Sequence, residues 1–224
     1  MSGTAPSLEK GRGCRITESV SKNTKKMGVT AVLSQEEILK IFKNSGALWE
    51  GHFVYTSGLH GNKYIQCARV SQFPEYNELL CKELAGRYKE QDIDVVLGAA
   101  VGGIIICYEL ARQLSAKSVF AERVEGKMTL RRGLEINEGE RVLLVEDVVT
   151  TGGTVKELVP LVESRGGIIV GGAAFVNRNP ERVKFDFPFE TLLSTVFSDY
   201  PPEECPLCKE GIPFDRPGSR TLAK

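Results

Sequence analysis

From residue 94 onward, the sequence alternates short, uninterrupted apolar runs with helical segments. The apolar runs span residues 95–98, 118–121, 142–145, 168–176 and 192–197, and the helical segments include residues 104–114 and 154–165. Uninterrupted apolar runs are typical of strands covered on both faces, and strand–helix alternation implies right-handed crossovers between parallel strands. The sequence therefore predicts an α/β fold with a doubly wound, mostly parallel sheet flanked by helices. In such sheets ligands bind beyond the carboxyl ends of the strands.

The segment before this alternation predicts a helix, a hairpin and a second helix. Ser34 is an N-cap candidate with Glu37 as its capping-box partner, and apolar residues at helical spacing continue to about Asn44. Two β-prone runs surround a turn that contains Gly and Asn within residues 51–67, which predicts a hairpin. An apolar stripe predicts a further helix over about 74–90.

Length and charge restrict the class of protein. The 224 residues suit one α/β domain, and Lys plus Arg equals Asp plus Glu at 29 each, so no global field favours nucleic acid or an anionic membrane. No apolar run approaches the roughly 20 residues that span a bilayer, and no signal peptide is recognised, so we expect a cytoplasmic protein. Residues 1–31 carry six basic and two acidic side chains without hydrophobic periodicity, which predicts a disordered basic tail before one domain over 32–224.

Six cysteines are scattered through the chain, and reduced thiols are the expectation because no export signal is recognised. Cys205 and Cys208 form a single C-x-x-C pair. A structural zinc site needs four ligands, and the only two histidines, His52 and His60, lie about 150 residues upstream. The sequence therefore favours a turn braced by proline at this pair over a metal site.

The segment over residues 142–154 carries the most specific chemistry. A buried strand is expected to deliver the carboxylates of Glu146 and Asp147 to its carboxyl end, and a turn then opens a helix. Backbone N–H groups and hydroxyls of this turn would cradle a phosphate, and they come from Thr150, Thr151, Gly152, Gly153 and Thr154. The acids repel phosphate but suit a vicinal diol or a hydrated Mg²⁺. Together these groups predict a site for a ribose 5-phosphate.

Two other phosphate-binding motifs do not fit this segment. It lacks the lysine of the G-x-x-x-x-G-K-[ST] loop and the glycine spacing of the G-x-G-x-x-G turn. An ordinary strand-turn-helix with acidic surface residues is the alternative interpretation. The segment has two adjacent acids and then threonines on both sides of Gly-Gly, and this combination favours a binding site for a ribose 5-phosphate.

The segment resembles the signature of the type I phosphoribosyltransferases, and the chain resembles their orotate phosphoribosyltransferases over about residues 34–218. Supporting segments lie at residues 53–58 with 64–66, 98–103, 123–127 and 175–178. The resemblance implies a small hood that contains the hairpin, contributed mainly by residues 34–70 and the C-terminal segment. It also implies Mg²⁺-dependent transfer of a phosphoribosyl group to orotate in pyrimidine biosynthesis, a homodimer, and neither a nucleic-acid nor a membrane partner.

The resemblance further implies roles for individual residues. Catalysis is expected from Lys127, Asp147 and Glu146. The residues expected to bind phosphoribosyl pyrophosphate are Val101, Gly102, Arg123, Lys127, Glu146, Asp147, Val148, Val149, Thr150, Thr151, Gly152, Gly153 and Thr154. Orotate is expected to contact Thr150, Arg178 and Tyr64. Mg²⁺ is expected to be held mainly by substrate and water, without direct side-chain ligands.

A polar run over residues 124–133 is expected to form a mobile lid, because it mixes Gly126 and Gly133 with cationic side chains. Lys127 in this lid is expected to act on the active site of a neighbouring subunit, as the resemblance implies. With Arg123 it forms the leading cationic pair for the departing pyrophosphate, and Lys63, Arg131 or Arg132 are candidates to assist.

The chain also departs from the family pattern. Family members carry lysines where this chain has Val101-Gly102-Gly103 and Thr56, and a lid histidine where it has Thr129. Glu146 replaces the commoner first Asp of the signature. Those family contacts are therefore absent from this chain.

Two alternative functions are weighed against orotate transfer. A purine phosphoribosyltransferase is disfavoured because Arg178 suits a carboxylate. A non-catalytic regulator that binds ligand and nucleic acid would need a basic recognition surface. The whole chain is neutral and the tail carries plus 4, so residues 32–224 carry a net charge of minus 4. This charge disfavours a regulator that binds nucleic acid.

Overall fold

The structure is a computed structural model that describes residues 33–55, 57–195 and 198–217. The tail expected at residues 1–31 lies outside the described residues, as do Thr56 and the end of the apolar run at residues 192–197. No helix in the described part of the chain is long and apolar enough to cross a bilayer.

The elements alternate as the apolar runs predict. In chain order they are α1 (Gln35–Asn44), β1 (Leu48–Val54), β2 (His60–Ile65), α2 (Ala68–Ser71), α3 (Pro74–Arg87), β3 (Val95–Ala99), α4 (Gly103–Leu114), β4 (Lys117–Val124), β5 (Lys127–Leu130), β6 (Arg141–Val149), α5 (Gly153–Glu163), β7 (Ile168–Asn177), β8 (Phe189–Ser194), β9 (Asp199–Tyr200) and α6 (Pro206–Lys209). Strand β6 extends four residues beyond the predicted apolar run, and β8 begins earlier than predicted and ends at Ser194.

The larger sheet has six strands in the order β5-β4-β3-β6-β7-β8. All neighbouring pairs are parallel except β4 and β5, which confirms the predicted doubly wound, mostly parallel architecture. The chain adds β4 on one side of β3 and later adds β6 on its other side. The strand order therefore reverses between β3 and β6, and a ligand crevice is expected at their carboxyl ends.

Each face of this sheet is covered by its own apolar core. Successive side chains of a strand point to opposite faces, so Val96 and Leu143 join one core while Leu97 and Leu144 join the other. The first core includes buried residues of α1, α3 and α4, and the second includes those of α5. This double burial explains why the strands have no polar alternation.

The smaller sheet forms a hood from β1, β2 and β9. The predicted hairpin of β1 and β2 is confirmed, and the predicted capping box before α1 is present with Ser34 and Glu37 bonding reciprocally. The C-terminal segment lies along β1, where Asp215 accepts from the N–H of Val54 at 2.9 Å and donates to the carbonyl of His52 at 2.8 Å.

The run expected to form a mobile lid contains regular structure. In its first half, residues 125 and 126 form the turn of a hairpin, and β5 then pairs antiparallel with β4. Glu125 and Gly126 both have positive φ, +49° and +82°, as the two-residue turns that join twisted strands require. The sequence analysis therefore missed strand β5, because polar composition was given more weight than the alternation of Lys127 to Leu130.

Candidate active site

The two predicted acids lie within strand β6. The strand continues to Val149 because β7 extends equally far and pairs with it at Val148 and beyond. Glu146 is buried and Asp147 half-buried. The Asp147 N–H donates to Oε1 of Glu146 at 3.0 Å, and the Val148 N–H donates to Oδ1 of Asp147 at 2.8 Å.

The acidic pair has no cationic partner among the described residues. None of the ion pairs between described side chains includes Glu146 or Asp147. Burial and the adjacent Asp147 carboxylate raise the pKa of Glu146 well above its usual range. A polyol or a hydrated cation would therefore find two adjacent carboxyl groups without a cationic partner among the described residues.

The turn after β6 has the geometry of an anion site. Gly152 adopts φ +76°, and a Cβ there would lie 3.0 Å from the ring of Phe185 and 3.1 Å from Val183. Helix α5 starts at Gly153, and the N–H of Gly153 donates to Oγ1 of Thr151 at 3.3 Å. The first N–H groups of a helix lack helical acceptors, so they point at any ligand bound before the helix.

A second turn approaches the acids closely. It follows β3, the neighbour of β6, and a Cβ at Gly102 would lie 2.5 Å from Oδ2 of Asp147. The turn after β3 therefore meets the carboxyl-terminal part of β6 where the strand order reverses. Val101 in the same turn is 81% exposed, so it presents an apolar side chain to solvent beside the acids.

Arg178 lies on the other side of the phosphate turn, just after β7. Its backbone N–H donates to the carbonyl of Val149 at 2.8 Å. The side-chain amide of Asn179 donates to the carbonyl of Thr150 at 2.8 Å. These two hydrogen bonds link residues 149–150 to residues 178–179, so the expected orotate contacts Thr150 and Arg178 lie close together.

The guanidinium of Arg178 is 6% exposed and lies between two hood residues. Its Nη2 pairs with Oδ1 of Asp199 at 3.2 Å, and the group stacks 4.0 Å from the centre of the Tyr55 ring. Burial raises the pKa of Asp199, and Arg178 opposes that rise. The sequence did not predict Asp199, because its two-residue strand β9 has no hydrophobic pattern. The stacking of Tyr55 on Arg178 was not predicted either, although Tyr55 lies in the supporting segment 53–58.

Tyr64 belongs to the same group of residues. Burial and the Asp147 carboxylate raise the pKa of Tyr64, while Arg178 acts in the opposite direction. The phenol therefore lies within electrostatic range of both the acidic strand end and the guanidinium. The structure thus places Tyr64 near Asp147 and Arg178, and hydrogen bonds of the adjoining segments hold Thr150 close to Arg178.

Lys127 and Arg123 lie elsewhere in the same chain. Lys127 is exposed at the tip of the β4–β5 hairpin, and β5 lies three strand positions from β6, a lateral distance of about 14 Å. Arg123 pairs with Glu157 of α5 and donates to the carbonyl of Gly126 at 2.8 Å. The structure does not gather this cationic pair with the acids of its own chain.

The three cations considered as assistants have acidic partners. Arg131 and Arg132 both pair with Glu122, at 3.5 and 2.8 Å, and Lys63 lies 3.9 Å from Glu50. Each of these contacts is surface-exposed and weak enough to rearrange.

A second cluster was missed because its members are far apart in sequence. The ligand atoms of His52, His60, Cys205 and Cys208 all lie within 4.8 Å of one another. The sequence argument against a metal assumed that the cysteine pair had no further ligands nearby. The structure corrects this assumption, because the hood sheet carries both histidines to the C-terminal segment.

Comparisons with known proteins find relatives that match most of this chain. A family model described as a phosphoribosyl transferase domain matches residues 75–200. An orotate phosphoribosyltransferase of Thermoanaerobacter sp. (strain X514) is 54% identical over 188 residues, which cover 84% of this chain and 99% of that protein.

Solved structures match the fold. Orotate phosphoribosyltransferase from Aeropyrum pernix has a TM-score of 0.60 at 23% identity, covering 70% of this chain and 93% of that one. Adenine phosphoribosyltransferase from Rhodothermus marinus has a TM-score of 0.56 at 27% identity, covering 71% and 99%. The same architecture thus occurs in structures named for two different bases, so the choice of base depends on side chains and not on the fold.

Proposed function

Because this chain belongs to the orotate phosphoribosyltransferase family, we propose that it transfers the 5-phosphoribosyl group of phosphoribosyl pyrophosphate to N1 of orotate. The products are orotidine 5′-phosphate and pyrophosphate, which places the reaction in pyrimidine nucleotide synthesis. The observation that carries the proposal is the junction of Asp147, the phosphate turn and Arg178 at one edge of the sheet.

The phosphate turn is proposed to bind the 5-phosphate of the ribose. Residues 150–154 supply three hydroxyls and the first N–H groups of α5, which lack helical acceptors; that of Gly153 donates to Oγ1 of Thr151. Asp147 accepts hydrogen bonds from the ribose diol, since its half-buried carboxylate has no cationic partner among the described residues. The sugar is thereby held at its phosphate and at its diol, which fixes the position of the reacting carbon C1 next to the diol.

The turn after β3 is proposed to accept the pyrophosphate. It adjoins Asp147, and its small residues let backbone N–H groups approach closely. As the bond from C1 to pyrophosphate breaks, the ribosyl centre becomes electron-deficient and N1 of orotate attacks it. The protein then contributes by positioning both reactants and by stabilising charge, without a covalent intermediate.

Arg178 is proposed to select orotate through its carboxylate. A guanidinium has five N–H donors in a planar fork, so it can hold Asp199 and a ligand carboxylate together. Tyr55 beneath the fork restricts its orientation. A base without a carboxylate cannot make this interaction with the buried guanidinium, so it should bind and react less well than orotate.

Mg²⁺ is proposed as the cofactor. Glu146 and Asp147 have no cationic partner among the described residues, and burial disfavours the charge of Glu146, so the pair fits a hydrated cation bound largely by substrate. When bound, Mg²⁺ supplies neutralisation of the pyrophosphate charge. The chain's own residues orient the ribose and the base.

A homodimer is proposed in which Lys127 serves the neighbouring active site. Its position at the sheet edge, about 14 Å sideways from β6, favours reach toward another subunit over reach toward Asp147 of its own chain. Lys127 is exposed, as a residue that meets a ligand of another chain must be.

The reaction is tested by following orotate absorbance with the full chain, phosphoribosyl pyrophosphate and Mg²⁺. Orotate should disappear only when all three are present, and chelating the Mg²⁺ should stop the reaction. Uracil and adenine, offered separately at the same concentration, serve as matched bases. Consumption of adenine without consumption of orotate would overturn the proposed substrate.

A further inference from the structure

The hood contains a cluster of two imidazoles and two thiols that the proposed reaction does not use. His52 lies in β1, His60 in β2, and Cys205 and Cys208 lie at α6. Three of the four are buried, with Cys208 half-buried, and every pair of ligand atoms is within 4.8 Å.

The distances within this cluster match the edges of a metal tetrahedron. Zinc bonds of about 2.0 Å to nitrogen and about 2.3 Å to sulfur imply edges of about 3.4 to 3.8 Å. Nε2 of His52 lies 2.9 Å from Nδ1 of His60, 3.5 Å from Sγ of Cys205 and 3.7 Å from Sγ of Cys208. Sγ of Cys208 lies 3.2 Å from Nδ1 of His60. Each of these four separations lies within about half an ångström of such an edge, and the other two are within 4.8 Å.

The orientation of His52 is an independent indication of a metal. Nδ1 of His52 lies 2.7 Å from the carbonyl oxygen of Ile212. A carbonyl only accepts, so Nδ1 carries the proton and Nε2 presents its lone pair to the cluster. Metal-bound histidines commonly donate their second ring N–H to a backbone carbonyl in this way.

We propose that His52, His60, Cys205 and Cys208 bind one Zn²⁺ ion in a closed structural site. Two sulfur and two nitrogen ligands in tetrahedral geometry select zinc among the common divalent metals. Four protein ligands leave no open position for a substrate, so the ion stabilises the fold and does not catalyse. A disulfide between the cysteines would leave the convergence of both imidazoles unexplained.

The ion would join three chain segments of the hood. The histidines come from the hairpin, and the cysteines lie just before the segment that pairs with β1 through Asp215. Phe214 packs edge-on against both imidazoles, which shields one side of the cluster. The metal would therefore clamp the C-terminal segment to the hairpin, and its removal should loosen both.

Metal content of the full-length, untagged protein tests this proposal directly. The wild-type chain should contain about one zinc per chain after gel filtration. Replacement of zinc by Co²⁺ should produce the visible absorption bands of tetrahedral cobalt with thiolate ligands. Removal of the metal by a chelator should lower the thermal unfolding midpoint, and added Zn²⁺ should restore it.

Variants locate the metal. The double variant Cys205→Ser, Cys208→Ser should contain less than about a tenth of a zinc per chain. Cys81→Ala, which removes a buried thiol bonded to the carbonyl of Ile106 in another part of the fold, should keep its full zinc content. Retention of zinc in the double variant would overturn the assignment.

Two results with wild-type protein would also overturn the proposal, even where the double variant fails to fold. One is a metal-free chain whose mass after alkylation shows a Cys205–Cys208 disulfide. The other is a reduced, metal-free chain that takes up neither Zn²⁺ nor Co²⁺. These measurements do not depend on catalysis, so the zinc proposal and the proposed reaction can fail separately.

Discussion

Gly102 and Asp147 occupy adjoining space, because a Cβ atom at position 102 would lie 2.5 Å from Oδ2 of Asp147. This contact joins the turn after β3 to the carboxyl-terminal part of β6, at the place where the strand order reverses. The first turn is proposed to hold pyrophosphate and the carboxylate to hold the ribose diol. The size of one residue therefore controls the fit of both ends of one substrate.

Gly102→Ala should lower kcat/KM for phosphoribosyl pyrophosphate by about 100-fold, because the added methyl displaces the Asp147 carboxylate by several tenths of an ångström or more. Steady-state kinetics check this expectation. Gly86→Ala is the matched control, since a Cβ at this helical position meets nothing within 4 Å. Its kcat/KM should equal that of the wild type, and equal values for Gly102→Ala would contradict the close approach.

Asp147→Asn should weaken transition-state binding by about 2 to 3 kcal/mol, the scale of a lost hydrogen bond to a charged group. This corresponds to a loss in kcat/KM of about 30- to 150-fold. Glu135→Gln, an exposed carboxylate with no ion pair among the described residues, controls for the change in net charge. Unaltered kinetics of Asp147→Asn at both limiting and saturating substrate would refute the diol assignment.

Arg178→Ala should abolish most of the discrimination between orotate and uracil. The variant loses the buried cation that the carboxylate of orotate requires, so kcat/KM for orotate should fall while that for uracil changes little. Arg87→Ala removes a partly exposed arginine that pairs with Glu190 and serves as the control. If the ratio of the two efficiencies is unchanged in Arg178→Ala, the carboxylate is bound elsewhere.

The buried Glu146 should make the ligand-free fold less stable as pH rises. Its pKa is raised by burial and by Asp147, so between the ordinary value of 4.5 and the raised value the folded chain retains a proton that the unfolded chain has lost. The free energy of unfolding therefore falls as pH increases through that window. Urea unfolding in the absence of Mg²⁺ should show a weaker pH dependence for Glu146→Gln than for the wild type. Parallel pH profiles of the two proteins would argue against a buried, protonated Glu146.

Sharing of Lys127 across a dimer predicts complementation between inactive variants. Mixing Lys127→Ala with Asp147→Asn should restore about a quarter of the sites, because half of the randomly exchanged dimers are mixed and each contains one intact site. Mixing Asp147→Asn with Arg178→Ala is the control, since both residues serve the same chain and no mixed site is intact. Absence of recovery in the first mixture, with subunit exchange verified, would assign Lys127 to its own chain.

Contiguous segments could be interpreted from the sequence because their chemistry depends on local backbone geometry. The acids of β6, Gly152 and the start of α5 follow one another directly, so a strand, a turn and a helix suffice to place them. The alternation of apolar runs predicted the parallel sheet for a similar reason, since strands buried on both faces require it. The β4–β5 hairpin was locally encoded too, by Glu125-Gly126, but its polar composition concealed it.

Only the tertiary structure could decide which distant residues meet. Asp199 reaches Arg178 because β9 pairs with β2, and His52 and His60 reach Cys205 and Cys208 because the C-terminal segment pairs with β1. These contacts join residues separated by up to 156 positions. Their formation depends on long-range strand pairing and on the loss of water from the hood, and neither leaves a periodic pattern in the sequence. The sequence by itself thus determined the sheet and the phosphate turn, whereas the folded hood decided the environment of Arg178 and the ligands of the proposed zinc ion.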